Sequence, residues 1–541
     1  MSRQSERLFA AMNDIDDKAI DEAAEGLTKR KTPLRRWMGI AAALFLVAGA
    51  GLLFLLPWGG AGSGGAGSNG STFMSYAGPV MPLTLREENP AIMAERDITL
   101  DFAPWVPVWI SNEEEAAGRE GLTDEQRQSV LDDYNDWYPE GGRYQYSSDI
   151  LVTDAYVLTN TSGQDQTVTL LYPFAGQLAT RRPIQPTLTL DGRELETVLH
   201  AGNYTGGYTG AWGRNGPEEG TVNLDHPDNW EDYRDALSGG DYLERALAGY
   251  PDLSDVPVII YEFTDPWGPP ESDEVPNPSL RVYFNLDYDR TTVLTTGFHA
   301  ASWDREAGTM MWGFSIPQPG ERIPSEPYSL IVLGDDIQDM RLQGCVTGGF
   351  DDDPVVEAGA TVRRYESDLE TALLTYAEIR YGRGEWENGV DFEMYFGLMK
   401  DQLVHYGLLS DEPMEMYTTG FLDDLNFDSV DRVFYLETEV TIPAGESVTL
   451  TAEMTKDGSY DFYCAHTENR GIYGYDLVTE LGSNLTCTRQ SAILEDRGQI
   501  EIVRENFGFD LEENIRTVEL DPTEEHYYLE VKRAAGTKPN R

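Results

Sequence analysis

Residues 150–172 read ILVTDAYVLTNTSGQDQTVTLLY, and this stretch decides the fold class. Ile150–Thr159 is rich in β-branched and aromatic residues and predicts a strand. Asn160-Thr-Ser-Gly-Gln-Asp165 is turn chemistry, and Thr167–Tyr172 predicts the return strand. Downstream, Thr187–Leu190 and Glu196–Leu199 flank Asp191-Gly192, a hairpin signal. Further strands are expected at 257–263, 279–286, 291–299, 309–316, 328–333, 432–442, 447–454, 499–503, 517–520 and 527–531, with Ile442-Pro-Ala-Gly-Glu446 as a tight connection.

Two helices interrupt the strands. Val362, Tyr365, Leu369, Leu373, Tyr376 and Ile379 recur at spacings of three and four, as do Phe392, Tyr395, Met399, Leu403 and Tyr406, with Gly407 as a stop. Both stripes read as core packing. Residues 203–249, rich in Gly, Trp and Asp, predict a long loop with a short helix. No internal repeat occurs. The expected architecture is mainly β: one or two antiparallel β-sandwiches with an inserted helical hairpin. The β-rich regions run over 74–358 and 421–541, with the helical insertion at 359–420.

Upstream of these lies a different kind of sequence. Trp37–Leu56 reads WMGIAAALFLVAGAGLLFLL, and residues 37–58 carry no charge. At 1.5 Å per residue, about 20 residues cross the ~30 Å hydrocarbon core as one transmembrane helix. Trp37 and Trp58 stand where interfacial anchors stand. The basic run Lys29–Arg36 precedes the span, and the next Arg or Lys after it is Arg86, so the positive-inside rule puts the N-terminus in the cytoplasm. A cleaved signal peptide fits less well, because 36 residues precede the apolar run and the run is long. Residues 59–73 are a Gly/Ser linker that lets an outer domain stand off the bilayer.

The chain has 94 acidic and 40 basic residues, a formal charge of −54. Residues 1–36 carry eight basic and seven acidic side chains, so nearly all the excess negative charge lies beyond the span. Such a field repels nucleic acid, whose binding depends on Lys and Arg neutralising phosphates, and it attracts cations. Cys345, Cys464 and Cys487 form no CxxC, which excludes the common zinc ribbons; pairing of Cys464 with Cys487 stays open.

Motifs for catalysis are scarce. The sequence has no HExxH, GxSxG, P-loop or dinucleotide-binding glycine fingerprint. Glu524-Glu525-His526 reads as a solvated turn. Calcium is the one cofactor the acidic clusters suggest, at Asp351, Asp352 and Asp353, and at Asp424, Asn426 and Asp428, whose spacing lacks the glycine and final glutamate of a full loop. Asp132-Asp133-Tyr134-Asn135-Asp136 is a third cluster. Glycoside hydrolysis needs only two opposed carboxylates, too common here to assign. Trp137, Tyr138, Tyr144, Tyr146, Tyr204, Tyr208 and Trp212 are candidate sugar-stacking aromatics.

In the first 36 residues, Leu8, Met12, Ile15, Ala19 and Ala23 fall on one helical face, opposite an acidic one. The stretch LFAAMNDIDDKAI at 8–20, followed by a basic run and an anchor, resembles the layout of single-pass membrane proteins of clostridia-like Gram-positive bacteria. Some of these are anti-sigma factors or surface sensors. The resemblance covers about 30 residues, and the zinc signature HxxxCxxC of many anti-sigma factors is absent, because no His or Cys precedes His200. The resemblance implies a bacterial cell-membrane protein with its large C-terminal domain extracytoplasmic.

Three functions follow as expectations. The first is a tethered outer domain that binds an unknown surface ligand. The second is a transmembrane regulator whose Leu8, Met12 and Ile15 dock a cytoplasmic protein. The third is a cell-wall or glycan-active enzyme.

Overall fold

The Ile150–Asn160 strand alternates buried and solvent-facing residues along its length, as a half-buried strand must. In the computed structural model it lies between Ile92–Asp101 and Ser447–Lys456 in a seven-stranded sheet. The next strand, Gln166–Gly176, belongs to a different, four-stranded sheet, beside Arg432–Ile442. The two predicted strands therefore exist, but they do not pair with each other. The chain crosses from one sheet to the facing one, a β-arch. Tyr156 and Leu158 meet Val168, Leu170 and Tyr172 across a shared core, which two strands of a single hairpin cannot do.

Arg432–Ile442 and Ser447–Lys456 form a second arch laid against the first. Asn160 joins them. Fully buried, its Nδ2 donates to the carbonyls of Gln164 at 2.8 Å, Ile442 at 2.9 Å and Pro443 at 3.2 Å. Asp165 Oδ1 accepts from Ala444 N at 3.0 Å.

The structure describes residues 77–119, 123–178, 185–204, 230–318, 328–348, 354–384, 386, 390–410, 420–425, 427–428, 432–460 and 471–534. All belong to the second of two compact units, Met1–Trp58 and Gly59–Arg541. The stripe Leu8, Met12, Ile15, the span 37–58 and the linker 59–73 lie outside the described residues, as do Asp351, Asp352, Asp353, Asn426 and Cys464. Among the described residues no helix is long and apolar enough to cross a membrane.

The fold is mainly β, and its described strands pair antiparallel apart from Ile92–Asp101 with Thr486–Glu495. The Asp191-Gly192 turn forms, but its return strand is Arg193–Glu194 and not the expected Glu196–Leu199: Asp191 at φ 48° and Gly192 at φ 77° are the left-handed pair a two-residue turn needs. The strand after it, Val198–Tyr204, again changes sheet and pairs with Arg432–Ile442.

A second sandwich packs the sheet of Thr291–Thr296, Tyr328–Gly334, Pro257–Trp267 and Gly359–Asp368 on the five-stranded sheet around Ser279–Asn285. Phe263, Leu280, Val282, Phe284, Trp312, Phe314 and Leu330 fill it. The other face of the four-stranded sheet, with Val258, Ile260, Leu294, Ile331 and Leu333, shares one core with the helices Leu369–Tyr381 and Phe392–His405 and with Phe174, Phe434 and Leu436 of the arches. The helical hairpin is thus the layer between two sandwiches. Each fully buried leucine there, Leu369 and Leu373 among them, contributes about 1.5–3 kcal/mol.

One helix boundary departs from expectation. Val362 and Tyr365 belong to Gly359–Asp368, a strand paired along Pro257–Trp267, and the helix begins only at Leu369. Asp368 sets the start: its Oδ1 accepts from Thr371 N at 2.8 Å. Spacings of three over a short β-branched segment do not separate strand from helix, and here sheet pairing decides. At the other end Gly407 N donates to Gln402 O at 2.8 Å, the stop expected of it. Among the described residues of the 203–249 segment are two helices, Trp230–Gly239 and Asp241–Leu247.

Candidate functional site

Three strands of the four-stranded sheet change character along the face that meets the helices. Pro257–Trp267 presents Val258 and Ile260, then Glu262. Tyr328–Gly334 presents Leu333 and Ile331, then Ser329. Thr291–Thr296 presents Leu294, then Thr296. The Leu369–Tyr381 helix seals the apolar half. Over the polar half it leaves a cleft of about 120 Å³.

The cleft has an apolar floor, Ile260 and Ile331, and a wall of hydroxyls: Thr296, Ser329, Tyr365 and Ser367 from the sheet, Thr371, Thr375 and Tyr376 from the helix. Thr296 and Ser329 are buried, whereas Thr371 and Thr375 open to solvent. Among the described residues, Glu262 is the only carboxylate in the lining. Its Oε2 accepts from Arg363 Nη2 at 2.8 Å and Tyr365 Oη at 3.2 Å. Burial, followed by the Glu262 charge, pushes the Tyr365 phenol up, so it stays a neutral donor.

Asp423 braces the helix end of the cleft. Its Oδ2 accepts from Gly297 N at 2.9 Å, and its Oδ1 accepts from Tyr376 Oη and Arg380 Nη1, each at 3.4 Å. Burial works against the Arg380 charge, but Tyr376, Asp428, Tyr395 and Asp423 together hold its pKa above the usual guanidinium range. Of the predicted calcium residues, Asp428 therefore interacts with an arginine, and Asp424 is exposed on the turn next to Asp423. Among the described residues no three His, Cys, Asp or Glu side chains are grouped to hold a metal ion.

The proposed sugar-stacking aromatics come together in part. Trp137, Tyr138, Tyr144 and Tyr146 sit in one small lobe, residues 103–149, inserted between the paired strands Ile92–Asp101 and Ile150–Asn160. The Tyr204 side chain, Tyr208 and Trp212 lie outside the described residues. Trp109, whose ring meets Tyr144 edge to face with centres 4.9 Å apart, belongs to the same group and had no sequence signal beyond its type.

His526 is not in a solvated turn. It opens the His526–Arg533 strand, buried, with Nε2 2.8 Å from Asp476 Oδ2. The strand pairs along Ile472–Val478, which sets His526 opposite Val478. Cys487 is a thiol, pushed up to about 11 by burial.

No family signature, curated protein or solved structure matches the chain.

Proposed function

We propose that this chain is a membrane-anchored, extracytoplasmic binding protein whose outer domain takes a small polar ligand in the cleft under the Leu369–Tyr381 helix. The cleft carries the proposal: hydroxyl walls over an apolar floor, with a single carboxylate. Hydroxyls both donate and accept, which suits a polyol, a sugar unit or a small amine. Hydrolysis of a glycoside needs two opposed carboxylates, and among the described residues the lining contains Glu262 alone, which favours the binding reading. The outer location rests on the uncharged span 37–58 and the basic run before it. The regulator reading rests on the N-terminal apolar stripe and is compatible with a ligand-binding outer domain.

The test is thermal unfolding of the detergent-solubilised full chain against neutral polyols, monosaccharides and small amines. A ligand at roughly 100 times its Kd adds about 2.7 kcal/mol of stability. Thr375→Trp fills the mouth of the cleft from an exposed helix position. A ligand that stabilises the wild type should leave Thr375→Trp unshifted. Equal shifts in both proteins would place the binding elsewhere and overturn the assignment.

A further inference from the structure

The inserted lobe recognises cations with aromatic rings, and it does so twice using the chain's own arginines. Arg143 lies 4.6 Å over the Tyr138 ring, and its two terminal nitrogens donate to the two carboxylate oxygens of Glu115. Arg533, from the last strand, lies 4.8 Å from both the Trp105 and the Tyr146 rings and donates to the carbonyls of Trp105 and Ser147. Another aromatic pair of the lobe, Trp109 with Tyr144, has no such cation among the described residues.

That pair is held ready. Val108–Ser111 and Gly142–Gln145 form a two-stranded sheet in which Trp109 stands directly opposite Tyr144. The Trp109 ring lies against Gly142, where a Cβ would come within 2.8 Å of it, so only glycine permits this pose. Trp109 remains 38% exposed, while Val108, its neighbour in the strand, points to the opposite face. An exposed aromatic ring fixed in this way is available to a partner.

Charge selects the occupant. Residues 105–148 hold ten acidic and three basic side chains. Of the three, Arg143 is engaged by Glu115, and Arg119 donates to Tyr134 Oη at 2.7 Å. Anionic surfaces are repelled by this lobe, whereas a cation is drawn by its net negative charge and by an aromatic ring face. We propose that the Trp109–Tyr144 face docks a basic protein segment by stacking one of its lysine or arginine side chains. This surface is separate from the cleft.

The test is titration of the full chain in detergent with a fluorescein-labelled twelve-residue peptide of alternating lysine and serine, at about 150 mM salt to suppress unspecific attraction. Trp109→Ala should weaken binding about tenfold, a change of ~1.4 kcal/mol. Trp303→Ala, which removes a comparably exposed ring from the second sandwich, should leave it unchanged, as should Thr375→Trp. If Trp109→Ala unfolds the lobe, Trp109→Leu keeps the apolar bulk and loses the ring, and should weaken binding likewise. Unchanged affinity in a folded Trp109 variant overturns the proposal. So does Trp109-dependent binding of a neutral oligosaccharide without peptide binding, which would make the face a glycan platform.

Discussion

Arg96 and Asp154 form a two-pronged ion pair shut off from solvent, with Arg96 Nε donating to Asp154 Oδ1 at 2.7 Å and Nη2 to Oδ2 at 2.8 Å. The pair sits where one apolar core gives way to another. Along Ile92–Asp101, Ile92 and Ala94 face the arch core, and Ile98 and Leu100 face the core under the C-terminal sheet, with Arg96 between. Asp154 also accepts from Tyr156 Oη at 3.1 Å and Tyr172 Oη at 3.0 Å, and Arg96 Nη1 donates to Val478 O at 2.7 Å. Burial opposes the Arg96 charge, but Asp154, Tyr156 and Tyr172 together outweigh it and hold the guanidinium above its usual range. The pair thus ties both arch sheets and the Ile472–Val478 strand to one register.

Removing one partner strands a buried charge. Asp154→Leu or Arg96→Met alone should cost roughly 3–5 kcal/mol, and the double variant less than the sum of the two. Urea unfolding of the three proteins near neutral pH measures this. An Asp154→Leu cost below about 1 kcal/mol would mean that the pair does not hold the seam.

Asn160 offers a second check on the arches. Asn160→Ala leaves two carbonyls of the second arch without their side-chain donor and should cost about 1–3 kcal/mol. Asn160→Asp puts a carboxylate against the same oxygens. Its pKa would rise on folding, so the lost stability should return as pH falls below that raised value and be absent near neutral pH. Equal instability of Asn160→Asp at both ends of the pH range would contradict this geometry.

Acid should loosen the other face of the same sheet. Asp101 is held low by hydrogen bonding from Arg497; Asp97 is held low despite burial by Arg489 and Ser491. A carboxyl lowered by folding stabilises above its unfolded pKa, near 3.9, and loses that contribution as pH drops through the folded value. Because these pairs are partly exposed, each contributes about 1 kcal/mol or less. Melting temperature should be level from about pH 7 to 5 and then fall, and the fall should shrink in Asp97→Asn with Asp101→Asn. An identical acid limb in that double variant would mean that other groups set it.

Residues 74–541 should also fold alone. Made without residues 1–73, they should be soluble and melt at the same temperature with reductant or chelator present. The cores are large, Cys487 is a thiol, and no described side chains are grouped for a metal. A large drop with chelator would reveal calcium at the Asp351–Asp353 cluster, and one with reductant a disulfide.

Strand positions were legible because alternation and turn residues are local properties, so Ile150–Asn160, Arg432–Ile442 and the Asp191-Gly192 hairpin are visible in the sequence. Pairing was not legible. Whether Gln166–Gly176 folds back or crosses to the facing sheet depends on what Asn160 bonds to 282 residues away, at Ile442. The cleft did leave a trace, in Leu294-x-Thr296, Ile260-x-Glu262 and Ser329-x-Ile331, where one face of each strand turns from apolar to polar. That trace has meaning only once the three strands are known to be neighbours. The same limit applies to Trp109 and Tyr144, 35 positions apart and directly opposed.

The most direct measurement combines the place of the outer domain with access to its cleft. In a chain whose three cysteines are replaced by alanine, Thr375→Cys puts one thiol at the cleft mouth and Ser5→Cys puts one before the span. A membrane-impermeant maleimide is applied to intact cells expressing each. The account predicts labelling at 375 in intact cells, slowed by any ligand that stabilises the wild type, and labelling at 5 only after permeabilisation. Labelling at 375 that requires permeabilisation, or that such a ligand fails to slow, would contradict it.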